Sequence, residues 1–310
     1  MDGADRTAEA VAGLRRAAAM GSVPRGELWV YDRVLGDLHV SCNLGEHALL
    51  RRAAGMDLWF FPVGEGEPAY PGYRTFRPDE MGLLADLPPP RLLGLVVDGP
   101  LEREIRRVGL EGALEPLAVA AAGPRPTGAF DGAVDDILSL VRASADVGVA
   151  VVVADDLAGR DGPLAHPAAL RAALMPAYAR LAAGIRATGR LALFHSDGAV
   201  AEVAGLLAAA GFDGLAGYQI ECYDASRAPR GLGRDWLLIG GLPAAWTAEG
   251  PPAAAACRAH LRHLSRTAGP SWALATSTGI GDGVAWRNLL RCYAALDAAC
   301  RDAGPRADAP

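Results

Sequence analysis

The chain has 310 residues, 51% of them hydrophobic, and a net charge of −6. That length suits a single α/β barrel of about 250 residues or more, and the acidic balance leaves no basic footprint for nucleic acid. Every one of the 30 basic residues is arginine, which excludes a Schiff-base lysine, a pyridoxal-phosphate lysine and a Walker-type phosphate lysine.

In chain order, residues 1–22 are expected to form a helical extension, residues 23–300 the barrel and residues 301–310 a loose tail. The acidic start "MDGADRTAEA" lacks the basic-then-apolar order of a secretory signal. No apolar run approaches the roughly 20 residues of a membrane span. A cytoplasmic location is therefore expected. Five scattered cysteines, Cys42, Cys222, Cys257, Cys292 and Cys300, without a CxxC, argue against a disulfide framework and a cysteine-rich zinc knuckle.

Seven continuous apolar runs follow: 57–63 (DLWFFPV), 92–99 (LLGLVVDG), 147–156 (VGVAVVVADD), 191–198 (LALFHSDG), 214–221 (GLAGYQIE), 236–242 (WLLIGGL) and 271–278 (SWALATST). Continuous rather than alternating apolar residues mark strands buried on both faces, as in a parallel sheet. An eighth strand is expected near Leu28–Val30 or within 66–90 or 100–146. Between the runs lie helical patterns: Leu170, Leu174, Leu181 and Ile185 share one face of a helix that begins at Pro167, ends at Gly189 and should kink or break at Pro176. Val203, Leu206 and Leu207 mark a shorter helix closed by Gly211, and the stretch from Trp286 forms the last one. Strands alternating with helices predict a (β/α)8 TIM barrel with an N-terminal extension. The alternative, a doubly wound open sheet, lacks a GxGxxG after its first strand. Pro/Gly-rich stretches 64–90 and 121–128 are expected to form loops over the mouth.

Active sites of such barrels lie at the C-terminal strand ends. The residues there are Asp98, Asp155, Asp156, His195, Asp197, Gln219, Glu221, Cys222, Thr276, Ser277 and Thr278, an acidic mouth with one histidine. Carboxylates around an imidazole either hold a divalent metal or act as general acid and base. The plainer role of a strand-end aspartate is to cap the next helix, and this is the expectation for Asp98 and Asp156. His195 with Asp197 is expected to be functional, Asp155 to orient substrate or take a proton, and Arg25, Tyr218, Gln219 and Thr276 to contact substrate. Arg74, Arg77 and Arg160 are, with Arg25, the arginines best placed to enter the mouth on loops. His260 and His263, on a helix with Arg258, Arg262 and Arg266, are expected on a solvated face; His166 starts a helix, and His39 and His47 are expected to be structural. Cys257, Cys292 and Cys300 are expected to be packing residues.

The ordered elements VPRGELWV, VDGP, ADDLAGRDGPLAHPAAL, FHSDGAV, AAAGFDGLAGYQIE, LLIGGL and TSTGIGDGVAWRNLL, spanning about residues 23 to 298, resemble the uroporphyrinogen decarboxylase superfamily. The resemblance implies a (β/α)8 barrel. It implies either methyl transfer, with zinc and a corrinoid protein as partner, or cofactor-free decarboxylation of a carboxylated small molecule. The decarboxylases' RQAGRY and GHG motifs read LWVYDRVLG and TGIGDG here. The thiol-activating methyltransferases' HxC reads His195-Ser196-Asp197, and their later cysteine aligns with Ile280. Within the resemblance, Glu221 would complete a metal set of His195, Asp197 and Glu221. A barrel that binds a ligand without catalysis is the remaining alternative.

Overall fold

The apolar runs form strands because each has two faces to bury, one toward a closed lumen and one toward an outer layer of helices. The structure, a computed structural model, describes residues 3–19, 22–64, 74–123, 128–223, 236–268 and 271–303. Residues 304–310 of the expected tail, and 65–73 and 124–127 of the expected mouth loops, lie outside the described residues.

The strands are β1 (Gly26–Glu27), β2 (Leu58–Pro62), β3 (Leu92–Asp98), β4 (Ala150–Ala154), the small hairpin β5 (Ala158–Gly159) and β6 (Gly162–Pro163), then β7 (Leu191–His195), β8 (Gly214–Tyr218), β9 (Leu237–Leu242) and β10 (Trp272–Thr276). The helices are α1 (Gly3–Ala19), α2 (Asp32–Asp37), α3 (Leu44–Ala53), α4 (Pro100–Ala122), α5 (Asp131–Ala143), α6 (Pro167–Ala173), α7 (Met175–Arg186), α8 (Ala201–Ala209), α9 (Ala244–Glu249), α10 (Ala254–Ala268) and α11 (Gly283–Ala303). Eight parallel strands run in the order β1-β2-β3-β4-β7-β8-β9-β10, as expected of a TIM barrel. The eighth strand is β1, just before Leu28–Val30 and too short to show as an apolar run. The helical pattern from Pro167 is broken as expected: α6 ends at Ala173 and Pro176 sits in the first turn of α7.

The ring closes between β1 and β10. Leu274 N donates to Pro24 O (2.7 Å), Ile280 N to Trp29 O (2.9 Å) and Tyr31 N to Ile280 O (3.0 Å). Glu27, fully buried, completes the seam: its Oε2 accepts from the Thr276 backbone N–H (2.9 Å) and hydroxyl (2.5 Å), and its Oε1 from the Tyr293 hydroxyl on α11 (2.8 Å). Beneath the barrel, α1 lies across the N-terminal strand ends. Thr7 Oγ1 donates to Gly189 O (2.7 Å) just before β7, Arg15 Nε to Ser271 Oγ (2.9 Å) just before β10, and Leu14 joins the lumen cluster with Leu58, Leu92 and Leu237.

Two expected substrate contacts belong to this framework instead. Arg25 precedes β1 at the closed end, where its guanidinium pairs with Asp297 (2.8 Å) and covers the Tyr293 ring (4.6 Å). Thr276 spends both its backbone N–H and its hydroxyl on Glu27. Each lies on the strand face turned toward α11, so neither side chain reaches the mouth.

Burial raises the Glu27 pKa from 4.5 to about 7, against the lowering effect of its three donors. A carboxylate that holds its proton more tightly when folded contributes stability that is complete below about pH 4.5 and lost as the pH rises toward 7. Glu27→Gln keeps an acceptor for the seam and removes this titration. Denaturant unfolding at pH 4.5 and pH 8 is expected to show the variant gaining on the wild type by up to about 3 kcal/mol at the higher pH; parallel behaviour at both would refute the assignment.

Candidate active site at the barrel mouth

Side-chain alternation decides what enters the mouth. On β4, Ala150, Val152 and Ala154 belong to the lumen cluster, whereas Val151 and Val153 pack in the outer layer. Continuing with a period of two, Asp155 turns outward and Asp156 inward. On β7, Leu193 faces the lumen and Phe194 the outer layer, which turns His195 and Asp197 inward.

Asp156, His195 and Asp197 therefore meet, each offering one ligand atom within 4.8 Å of the others. His195 is 7% exposed, and its Nδ1 lies 3.0 Å from the Ala216 carbonyl oxygen. A carbonyl only accepts, so Nδ1 carries a proton, and in that tautomer the lone pair lies on Nε2. Nε2 stands 4.0 Å from Asp197 Oδ1, a buried oxygen with no hydrogen-bond partner among the described residues. The Trp29 ring meets the imidazole edge-on at 5.5 Å.

The backbone around this set leaves it little freedom. Asp197 N donates to Asp156 Oδ1 (2.9 Å), tying the two carboxylate-bearing segments together. Ser196 Oγ accepts from Leu157 N (2.9 Å) and donates to Asp197 O (2.8 Å). The β5–β6 hairpin adds Gly159 O, which accepts from Ala199 N (2.9 Å). Gly217 has φ +93°, and a Cβ there would stand 2.3 Å from His195 Nδ1. Glycine is needed at 217 for both conformation and space.

Charge in the cluster is unbalanced. Burial pushes the Asp197 pKa up, His195 pulls it down, and Asp156 and Glu221 push it up again. A bound cation relieves that repulsion. One imidazole nitrogen and two carboxylates form a hard donor set suited to a divalent metal with open positions. The orphaned Asp197 oxygen and the Nε2 lone pair both fit such an ion, at a separation that donors about 2.1 Å from a shared metal can span.

Other expected site residues are placed elsewhere. Asp155 is 1% exposed and accepts from Leu101 N (3.0 Å), Glu102 N (2.7 Å) and the Tyr178 hydroxyl (2.8 Å). It holds the first turn of α4, and burial raises its pKa from 3.8 to about 7; its outward orientation takes it away from substrate. The capping role expected of Asp156 thus falls to its neighbour, and Asp156 takes the place in the cluster expected of Glu221. Glu221 Oε1 is engaged by Ala244 N (2.6 Å) and the Ser277 hydroxyl (2.9 Å), outside the three-residue cluster. Tyr218 packs in the outer layer, stacked on Tyr223 at 4.9 Å. Gln219 Oε1 accepts from Gly198 N (2.9 Å), supporting the loop that carries Asp197.

Trp29 was not marked by any polar or strand-end pattern; only the closure at β1 brings it to His195. The alternation through Val152 and Ala154 turns Asp156 inward, a signal the sequence itself carries. His260 departs from its expected solvated face: its Nε2 contacts Gly241 O at 2.7 Å beside the Trp246 ring, and burial lowers its pKa.

No known family and no curated relative matches this sequence. Among solved structures it is similar to a methyltransferase from Methanosarcina mazei, with 16% identity, a TM-score of 0.67, and coverage of 93% of this chain and 97% of that one. That likeness shows the shared barrel. A Xaa-Pro dipeptidase structure also matches, with 11% identity, a TM-score of 0.43, and coverage of 82% of this chain and 65% of that one.

Gly217→Ala is expected to displace the imidazole, weaken metal binding by roughly 10- to 100-fold and destabilise the fold by about 1–3 kcal/mol. Zinc titration with a competing chelator, alongside thermal unfolding, measures both; unchanged affinity would show that His195 is not a ligand.

Proposed function

We propose that this chain is a methyltransferase-like enzyme of the uroporphyrinogen decarboxylase superfamily, acting on a small molecule with a divalent metal, zinc in the first instance, held by Asp156, His195 and Asp197. The observation that carries this reading is the His195 Nε2 lone pair facing the unpartnered Asp197 oxygen, with Nδ1 committed to the Ala216 carbonyl. The likeness in fold to the Methanosarcina mazei methyltransferase supports it. Residues 23–300 are the catalytic unit in this reading.

When bound, the metal supplies Lewis acidity to the group that leaves or accepts the methyl. The chain's own residues do the rest. Ala216 fixes the tautomer and orientation of His195 through its carbonyl. Asp156 holds the Asp197 backbone and so sets the height of the second carboxylate above β7. Trp29 closes one side of the imidazole and excludes water from it.

The donor set favours an oxygen or nitrogen function on the substrate over a thiolate. Hard carboxylates leave a metal less electron-rich than thiolates do. At the second family cysteine position, Ile280 is fully buried and its backbone pairs with Trp29 and Tyr31, so it serves barrel closure. A corrinoid protein is the methyl carrier in this reading. The decarboxylase alternative, in which Asp155 or His195 would protonate the carbanion, keeps only His195, because Asp155 is spent on α4.

Protein purified without added metal is expected to contain about one zinc per chain, lost in His195→Ala while the far-UV circular dichroism is unchanged. Methyl transfer from methylcobalamin to small oxygen nucleophiles is expected to fall at least about 100-fold in that variant. A metal-free protein with full activity would overturn the metal assignment.

A further inference from the structure

The layer of the lumen that carries His195 continues across the sheet to a second charged group. Register pairs Ala216 with His195, His195 with Ala154, and Ala154 with Asp98. Paired residues of neighbouring parallel strands point to the same face, so Asp98 shares the face of His195. It lies two strands away, about 10 Å between Cα atoms at the usual strand spacing. The residue between them is alanine, so no bulky side chain divides the mouth there.

Asp98 is held by arginines. Arg106 Nη2 lies 2.5 Å from Asp98 Oδ2, with the side chains 36% and 29% exposed. Arg103, half-buried, donates from Nε to the Asp98 carbonyl oxygen (3.3 Å), and Arg106 lies close enough to lower its pKa further. Asp136 and Asp155 also act on Arg103, whereas Asp98 engages a single nitrogen of Arg106. Across the mouth, two carboxylates, Asp156 and Asp197, surround one imidazole. The remaining N–H groups of Arg106 have no hydrogen-bond partner among the described residues.

We propose that Arg106, oriented by Asp98, binds a carboxylate of the substrate, so that the substrate spans the mouth between this arginine and the His195 cluster. Guanidinium geometry matches a planar carboxylate through two parallel hydrogen bonds. A phosphate dianion would be repelled more strongly than a monoanion by Asp98, Asp156 and Asp197. The inference deepens the proposed function by naming the substrate class, a small carboxylic acid, and rests on that reading only in calling the bound anion a substrate.

The probe is trifluoroacetate, followed by fluorine NMR line broadening against the full-length protein stripped of metal with EDTA. Saturable binding is expected in the wild type. It should weaken at least tenfold in Arg106→Gln and by a smaller factor in Arg106→Lys, which keeps the charge and loses the fork. His195→Ala should bind the probe as the wild type does, and Arg106→Gln should retain its zinc. Equal affinity in the wild type and both Arg106 variants would overturn the proposal, as would loss of binding in His195→Ala alone. Failure of the zinc experiments leaves the probe result untouched, so the two readings fail separately.

Discussion

Everything at the mouth depends on closing the barrel at its shortest strand. β1 has two residues, too few for its own ladder to hold the first and last strands together. Glu27 makes up the deficit with three hydrogen bonds to Thr276 and Tyr293, joining β1, β10 and α11 at one carboxylate. The acceptor is fully buried and every donor is directed at it, which specifies one register rather than several. Closure also sets the position of Trp29, because the residues after β1 pair with Ile280 and so turn the indole toward His195.

Around that frame, a period of two separates the aspartate that holds α4 from those that gather at the mouth. Asp155 and Asp156 are adjacent in sequence and opposite in role. The first leaves the sheet outward and satisfies the N-terminal amides of α4, a position where a carboxylate is favoured by the helix dipole. The second turns inward and joins His195 and Asp197. Gly99 has room for no side chain, since a Cβ there would stand 2.2 Å from the Asp155 carboxylate, so the cap belongs to the neighbouring strand. The same alternation places Asp98 in the layer of His195.

The charges of the mouth are thus divided. The carboxylates Asp156 and Asp197 on β4 and β7 stand across from the Asp98–Arg106 ion pair at the end of β3, with small residues between them. In the proposed reading, such a division orients a bound molecule end to end, its anion toward Arg106 and its other end toward Asp156, His195 and Asp197. His47 shows how differently a buried histidine is used elsewhere. It is held between Asp32 (3.0 Å) and Arg51 (3.3 Å), with its pKa pushed down to about 3 by burial and by the arginine, and so stays neutral as a structural link.

By itself the sequence determined the barrel, seven of its eight strands, the break at Pro176 and the prominence of His195 and Asp197, because continuous apolar runs and helix punctuation are local properties. It did not determine which polar strand-end residues share a cavity. That depends on inward or outward orientation at each strand end, on register between strands distant in sequence, and on competition from backbone amides. Asp155 and Glu221 are held by such amides, and Thr276 is held by the Glu27 carboxylate. Trp29 gained its place only when the ring closed, through a contact between residues 29 and 195, whereas Asp156 followed from alternation along β4 and the pairing of β4 with β7.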